Sequence, residues 1–134
     1  MVTDMRGKVI MVTGTNSGIG KATAIGLARL NATVVAVMRD SLKSEAALKE
    51  IQSKSGRAEQ IIWMKADLSI QKSIRELAKD FNEKYDRLDV LLNNAGVFNY
   101  KKTMTGEGIE TTFAVNVLAP FLLSNLLLGK LRSS

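Results

Sequence analysis

The segment VIMVTGTNSGIG, residues 9–20, decides the fold of this chain. It contains a hydrophobic run and a turn with Gly14, Gly18 and Gly20, and it opens a helical pattern from Lys21 to Leu30. A strand that leads through a glycine-rich turn into a helix is suited to phosphate, because the unpaired N–H groups and the positive end of the helix dipole face the anion. The segment therefore predicts a phosphate site at the start of the first helix.

The three glycines have separate roles in this prediction. Gly14 permits a tight turn directly after the strand, and Gly18 lets a pyrophosphate approach the backbone because it has no Cβ. Gly20 lets the first turn of the helix pack close to the sheet. A tight turn with a purely structural role is the alternative interpretation.

Composition excludes several classes of function. The 134 residues suffice for one domain with one core, and 46% hydrophobic content is typical of globular proteins. Cysteine and histidine are both absent, which excludes disulfides, thiolate metal sites and the usual general base, and we expect no metal.

The net charge of +6 raises the question of nucleic-acid binding, but the basic residues are scattered and only 5% of residues are aromatic. We predict no nucleic-acid partner.

Two segments bear on targeting and membranes. The N-terminal segment Met1–Lys8 is polar and does not have the pattern of a signal peptide. The most apolar region, Phe113–Leu128, is interrupted by Pro120 and by polar residues, so it is too broken for a membrane span. We expect a cytoplasmic protein without a membrane span, in which this region forms a buried or interface helix.

Strand and helix patterns alternate four times along the chain. Apolar runs predict strands over residues 8–13, 33–38, 60–65 and 88–92, with amphipathic helices between them. This alternation is typical of an α/β fold: a doubly wound, Rossmann-type parallel sheet with right-handed crossovers and helices on both faces. The expected strand order is 3-2-1-4, with the ligand crevice at the carboxyl ends of strands 1 and 4.

Local signals define several boundaries. Asn31 follows the first helix, at a position where a left-handed residue is favoured, and Ser41 is expected to cap the second helix. A loop is predicted over residues 97–106, followed by one long helix to about Leu131. Pro120 lies inside that helix and should remove one helical hydrogen bond, with a kink as a possible result.

Three further motifs accompany the glycine turn. NNAG at residues 93–96 follows the fourth strand, Asp67-Leu68 follows the third, and Asn116 lies in the last helix. With the pattern TGxxxGxG at residues 13–20, these motifs resemble the short-chain dehydrogenase/reductase family. The segments TNSGIGK at residues 15–21 and FAVN at residues 113–116 are most similar to its retinol-dehydrogenase-like branch. The resemblance covers essentially the whole chain, but only the N-terminal half of a typical family member.

The resemblance implies a set of cofactor-binding residues at two turns. In the phosphate turn they are Gly14, Asn16, Ser17, Gly18, Ile19 and Gly20. In the turn after the fourth strand, backbone atoms are expected to line the nicotinamide ribose, and one side chain, that of Asn94, is also expected to hold the sheet together. The members of this second turn are Asn93, Asn94, Ala95 and Gly96.

Three residues outside these turns are also assigned by the resemblance. Asp67 is expected to hydrogen-bond the adenine ring and Leu68 to contact it through its backbone, although Asp67 could instead, or in addition, cap the next helix. Asn116 is the one catalytic candidate, expected to hold a water of the proton relay. A buried amide needs hydrogen-bond partners, and the alternative for Asn116 is a core amide that kinks the helix near Pro120.

Arg39 decides between the two nicotinamide cofactors. A carboxylate at the end of strand 2 binds the ribose 2′-hydroxyl and favours NAD. By resemblance, this position falls on Met38, which cannot form that hydrogen bond, and Arg39 follows it. A guanidinium can hold the 2′-phosphate of NADP through two parallel hydrogen bonds, so NADP is the expected cofactor. If the register shifts so that Asp40 occupies the carboxylate position, its side chain would favour NAD, which is the less favoured alternative. The alternative interpretation of Arg39 is a solvated charge at the end of the strand.

The family chemistry implied by the resemblance is hydride transfer between nicotinamide and a carbonyl or alcohol carbon. It requires a Tyr-x-x-x-Lys pair on one helix face and a serine that orients the substrate oxygen. Four residues after Tyr85 comes Asp89, and four after Tyr100 comes Met104, so neither tyrosine fits. We expect residues 1–134 to be the dinucleotide-binding half of a truncated or longer protein, ending before the fifth strand and inactive alone.

The sequence leads to one expectation about function and one about assembly. The predicted function is an NADP-dependent oxidoreductase acting on a small-molecule carbonyl or alcohol, and the alternative is a non-catalytic dinucleotide-binding or assembly module. An open reading frame that continues past Ser134 into a Tyr-x-x-x-Lys helix would favour the enzyme. Because strand 4 becomes an edge with unpaired backbone groups, self-association into a homo-oligomer is expected.

Overall fold

The structure, a computed structural model, describes residues 3–134, so the first two residues of the polar segment Met1–Lys8 lie outside the described part. The sheet has four strands: β1 (Val9–Thr13), β2 (Thr33–Met38), β3 (Ile61–Lys65) and β4 (Val90–Leu92). Neighbouring strands are parallel, and their order is β3-β2-β1-β4. This confirms the predicted fold class and strand order.

Helices connect the strands and follow the last of them. The three connecting helices are α1 (Gly18–Arg29), α2 (Leu42–Ser55) and α3 (Gln71–Lys84), and a short 3₁₀ turn, Ala58–Gln60, precedes β3. After β4 come α4 (Thr111–Phe113), a π-helical turn (Ala114–Leu118), α5 (Ala119–Leu126) and α6 (Leu128–Arg132).

The sheet buries both of its faces. Successive side chains of a strand point to opposite faces, so a continuous apolar run contributes to two cores. Ile10 and Val12 of β1 pack in the core that includes residues of α1 and α2. Met11 packs in the second core, which includes residues of α3 and α5. Helices therefore cover both faces, as predicted.

The single long helix predicted to about Leu131 is wrong. The helical region begins only at Thr111, and it is divided by the π turn and by a second break at Leu127. Pro120 lies in the first turn of α5, and the N–H of the preceding Ala119 donates to the carbonyl of Ala114, five residues back. Because proline has no N–H, the helical hydrogen-bond pattern is interrupted next to it, which accounts for the π turn there.

Several local predictions are confirmed. Asn31 has a φ of 71°, the left-handed conformation expected after α1. Ser41 is the N-cap of α2, and its Oγ accepts a hydrogen bond of 3.1 Å from the N–H of Ser44. Two boundaries differ by two or three residues, since α1 begins already at Gly18 and β4 begins only at Val90.

One side of the molecule exposes apolar groups. In the described sheet β4 is an edge strand, and four large apolar side chains on the helical segments after it are exposed: Phe113, Val117, Phe121 and Leu128. Self-association through this side stays a prediction. Among residues 3–134, no helix combines the length and the apolar character needed to cross a membrane. The cytoplasmic location also stays a prediction.

Candidate functional site

The glycine turn between β1 and α1 is closely packed at two positions. Gly14 has a φ of +68°, and a Cβ there would lie 2.8 Å from the Cα of Ala95. A Cβ on Gly20 would lie 2.2 Å from the carbonyl oxygen of Gly14 and 2.4 Å from the Asn94 amide nitrogen. Both positions require glycine, as predicted, because a side chain would push the turn away from the end of β4.

The outer part of the same turn is open. Asn16, Ser17 and Ile19 are exposed, and Gly18, with a φ of +57°, has open space where a Cβ would be. Ser17 is the N-cap residue of α1, but its hydroxyl does not cap the helix, and the first turn carries no acidic residue. The free N–H groups of this turn and the positive end of the helix dipole are therefore available to an anion.

One polar atom in the turn is orphaned. The hydroxyl of Thr15 is buried and has no hydrogen-bond partner among the residues that the structure describes. Such groups are uncommon in folded proteins, because burial without a partner costs free energy. With the open space at Gly18, the turn has the two features expected of a phosphate cradle: unused donors and a close approach to the backbone.

The turn after β4 is joined to the glycine turn by side-chain hydrogen bonds. The amide nitrogen of Asn94 donates to the carbonyls of Thr13, at 3.1 Å, and Gly14, at 3.2 Å. The Thr13 Oγ1 accepts from the N–H of Ala95 at 3.0 Å. Asn94 therefore holds β1 and β4 together, which confirms the structural role predicted for it.

Asn93 and Asn116 anchor the segment that follows β4. The Asn93 amide donates to the hydroxyl of Ser124 on α5 at 3.2 Å. The Asn116 amide pairs with the backbone of Val97 at both ends: its Oδ1 accepts from the N–H at 2.8 Å, and its Nδ2 donates to the carbonyl at 2.7 Å. This arrangement fixes the chain just beyond Gly96 against the π turn.

The prediction that Asn116 is a buried amide is wrong. The residue is exposed, because the π turn lies at the uncovered side of the fold next to the edge strand β4. Its side chain meets its hydrogen-bonding needs with the Val97 backbone rather than inside the core. The proposed contribution of Asn116 to a proton relay stays a prediction.

A pocket with a volume of about 540 Å³ opens at the carboxyl ends of β2 and β3. Met38 at the end of β2 is buried in the core, with 3% of its surface exposed, whereas Arg39 and Asp40 are exposed. Arg39 therefore lines the pocket, whereas the side chain of Met38 is buried in the core. The lining residues are Arg39, Asp40, Ser41, Lys65, Ala66, Asp67 and Ser73.

Asp67, which lines this pocket, is held by local hydrogen bonds. Its Oδ1 accepts hydrogen bonds from the N–H of Ser69, at 2.9 Å, and from the Ser69 hydroxyl, at 2.6 Å. Asp67 thus forms the turn that leads into α3, whose N-cap residue is Ile70. Leu68 is half-buried and lines a narrow gap between this turn and the residues Asn93 and Ala95.

The charges of the pocket are unevenly paired. The Lys65 ammonium lies 3.3 Å from a carboxylate oxygen of Asp40. Among residues 3–134, Arg39 has no carboxylate within ion-pair distance. Sequence reasoning missed Lys65, because only the pairing of Met38 with Lys65 across β2 and β3 brings it to the pocket.

Comparisons with known proteins agree with this geometry. The family model described as short chain dehydrogenase matches residues 8–134. Over 128 residues the chain is 48% identical to retinol dehydrogenase 12 of Bos taurus and 48% identical to retinol dehydrogenase 11 of Homo sapiens. Each alignment covers 96% of this chain and 40% of the relative, so the chain spans well under half the length of these curated proteins.

Two solved structures resemble the fold closely. A metagenomic short-chain oxidoreductase in complex with NADP has a TM-score of 0.81 and 34% identity, covering 96% of this chain and 58% of its own. A protein of Escherichia coli CFT073, described as a short chain dehydrogenase complexed with NADPH, has a TM-score of 0.81 and 30% identity. That match covers all of this chain and 57% of the other.

Proposed function

The chain belongs to the short-chain dehydrogenase family, and from this premise we propose that it is the NADP-binding half of an oxidoreductase. Residues 1–134 form the dinucleotide-binding part in this proposal, and the cofactor, when bound, accepts or supplies hydride at its nicotinamide. The substrate of the whole protein is a small-molecule alcohol or carbonyl. The curated relatives, which are named retinol dehydrogenases, support an alcohol substrate.

The observation that supports NADP over NAD is that Arg39 lines the pocket without an ion-pair partner among the described residues. Arg39 follows a buried methionine. The neighbouring carboxylate that could favour NAD, Asp40, is paired with Lys65 at 3.3 Å. A free guanidinium beside an ion-paired carboxylate favours a 2′-phosphate over a 2′-hydroxyl. The structural neighbours in complex with NADP or NADPH support the same choice.

The remaining assignments follow the order of the sites along the carboxyl edge of the sheet. The open turn at Gly18 receives the pyrophosphate at the start of α1. Asp67 and Leu68 lie beside the adenine ring, and the turn from Asn93 to Gly96 lines the nicotinamide ribose. Each of these positions belongs to a turn that the structure places at the same edge of the sheet.

Titration of the 134-residue chain with NADPH and with NADH tests the proposal. We expect NADPH to bind about tenfold more tightly, because a charge-assisted hydrogen bond to phosphate contributes roughly 1.5–3 kcal/mol. The substitution Arg39→Met should remove most of that preference while NADH binding changes little. Arg132→Met, an exposed arginine at the end of α6, is the matched control and should leave both affinities unchanged. Equal affinities, or a preference for NADH, in the unaltered chain would overturn the choice of NADP.

A further inference from the structure

Lys65 occupies a defined position at the end of β3. In the sheet register it is paired with Met38, which places it beside the first residue after β2, Arg39. Its ammonium lies 3.3 Å from Asp40 and 4.9 Å from the centre of the Trp63 ring, a distance at which a cation is attracted to the ring face. The Lys65 ammonium is therefore held at the mouth of the pocket that Arg39 lines.

Trp63 is itself held in place. Its indole Nε1 donates a hydrogen bond of 3.2 Å to the carbonyl of Met38, the last residue of β2. The N–H of Ala66 donates to the same carbonyl at 3.1 Å. These two bonds join the ends of β2 and β3, and they tie Trp63, whose ring lies next to the Lys65 ammonium, to the residue that precedes Arg39.

We propose that Lys65 is a second cation for the 2′-phosphate of NADP, and that it exchanges Asp40 for the phosphate when the cofactor binds. This inference rests on the proposed function and adds a specificity-determining residue to it. Exposed ion pairs contribute little to stability, and the side chains of Lys65 and Asp40 are 54% and 71% exposed, so the exchange costs little. A phosphate carries more negative charge than one carboxylate and competes effectively for the ammonium.

The charge balance of the pocket gives the second argument. The charged lining residues are two cations, Arg39 and Lys65, and two carboxylates, Asp40 and Asp67. Without Lys65 the lining has an excess of negative charge, which opposes a phosphate. Lys65 therefore has two effects that favour NADP: it offsets the carboxylates, and it donates hydrogen bonds to the ligand.

Binding of NADPH and NADH to Lys65→Met tests the inference. We expect NADPH affinity to fall about tenfold and NADH affinity to change less than about twofold, because only NADPH carries the 2′-phosphate. Lys65→Arg should retain most of the NADPH affinity. The matched control is Lys84→Met, which removes the same charge at the exposed C-terminal end of α3, outside the pocket. An unchanged ratio of the two affinities in Lys65→Met would overturn the inference.

A second set of variants separates direct contact from neutralisation of Asp40. If Lys65 only neutralises that carboxylate, Lys65→Met should have no effect once Asp40→Asn has removed the charge, and this result would overturn the inference. We expect instead that Lys65→Met still weakens NADPH binding about fivefold or more in the Asp40→Asn chain. Asp40→Asn alone should strengthen NADPH binding, since it frees the ammonium.

The outcomes distinguish this inference from the proposed function. Failure of the unaltered chain to bind either nucleotide would overturn both. A preference for NADPH that depends on Arg39 but not on Lys65 would overturn the inference and leave the proposed function standing. Thermal unfolding of each variant shows that it is folded, and Lys65→Gln, which keeps a polar side chain, gives the same comparison if Lys65→Met is unstable.

Discussion

The two ends of the β-sheet use charged groups in opposite ways. At the amino end, Asp89 accepts hydrogen bonds from the N–H of Val9, at 2.8 Å, and from Arg87 Nε, at 2.9 Å, and lies 3.7 Å from the Lys8 ammonium. At the carboxyl end, the guanidinium of Arg39 is exposed and has no carboxylate partner in the described part of the chain. One end uses its charges to hold strands together, and the other leaves a charge available.

At the amino end, the carboxylate of Asp89 is already engaged by hydrogen bonds within the protein. Hydrogen bonding to Arg87, assisted by the N–H of Val9 and by nearby positive charge, lowers the pKa of Asp89 from 3.8 to about 2. The carboxylate is 11% exposed, and its bonding capacity is largely satisfied by the protein. A ligand would have to break existing bonds to use it.

The carboxyl end achieves its rigidity with neutral groups. Thr13 and Asn94 connect the glycine turn to the turn after β4 through backbone carbonyls and N–H groups. These bonds join the glycine turn to the end of β4 without a charged side chain. The described polar groups that the protein leaves unused, Arg39 and the Thr15 hydroxyl, therefore lie at the edge where we propose that the cofactor binds.

The largest expected effect comes from filling the close contact at Gly20. A Cβ there would lie 2.2 Å from the Gly14 oxygen, so Gly20→Ala must displace the glycine turn from β4. We expect a loss of about 3 kcal/mol in the free energy of unfolding and the loss of NADPH binding. Chemical denaturation and nucleotide titration measure the two effects.

The matched control for that substitution lies in the same helix. Gly26 is in the middle of α1, and a Cβ there would have no heavy atom within 4 Å. Gly26→Ala should stabilise the chain by about 0.5–1 kcal/mol, because alanine favours the helix. If both substitutions change stability equally, the close packing of the glycine turn is not what Gly20 provides.

The second effect tests the amino end through its pH dependence. A carboxyl whose pKa is lowered in the folded state adds stability above its unfolded pKa, near pH 4, and loses that stability as the pH falls towards 2. For Asp89, whose pKa falls to about 2, this contribution is about 2 kcal/mol at neutral pH. Asp89→Asn should therefore destabilise the chain at pH 6 more than at pH 3, by denaturant unfolding.

Asp80→Asn is the control for this measurement. Asp80 is an exposed carboxylate on α3, and its substitution should change the free energy of unfolding by less than about 0.5 kcal/mol. A deficit in Asp89→Asn that is equal at both pH values would contradict the charge-based role of Asp89. NADPH affinity should be unaffected near neutral pH, since Asp89 lies at the opposite end of the sheet from the pocket.

The smallest effect concerns the neutral frame of the carboxyl end. Thr13→Val keeps the shape of a side chain that is 2% exposed but leaves the N–H of Ala95 without its acceptor. We expect a loss of about 1–2 kcal/mol and a weaker affinity for NADPH. Thr33→Val, at the start of β2, loses only a long bond to the Gln60 side chain and should change stability by less than about 0.5 kcal/mol. Equal losses in the two variants would contradict the special role of Thr13.

Much of the fold followed from local patterns. The apolar runs predicted four strands, and the glycine turn predicted the βα unit that begins at Val9. The sequence predicts the loss of one helical hydrogen bond at Pro120 within a single helix, but not the π turn or the second break at Leu127. Whether a helix bends, ends or changes its hydrogen-bond pattern at a proline depends on what packs beside it, and the sequence pattern carries little of that information.

The sequence predicted some residues of the candidate site and missed others. The glycine and NNAG turns were identified from their motifs, and their residues lie together at one edge of the sheet. The exposure of Asn116 and its pairing with Val97 were missed, because an apolar helical pattern does not show which of its faces the fold covers. Lys65 was missed because no motif includes it.

The chain order of residues was enough to establish a strand, a glycine turn and a helix, and with them a parallel sheet. Hydrophobic periodicity and the stereochemistry of glycine are local properties, so they act before any distant contact forms. The tertiary structure alone brought Val9 to Asp89, 80 positions away, and Asp40 to Lys65. Such partners depend on which strand ends become neighbours, and that is settled only when the sheet assembles and its two faces are buried.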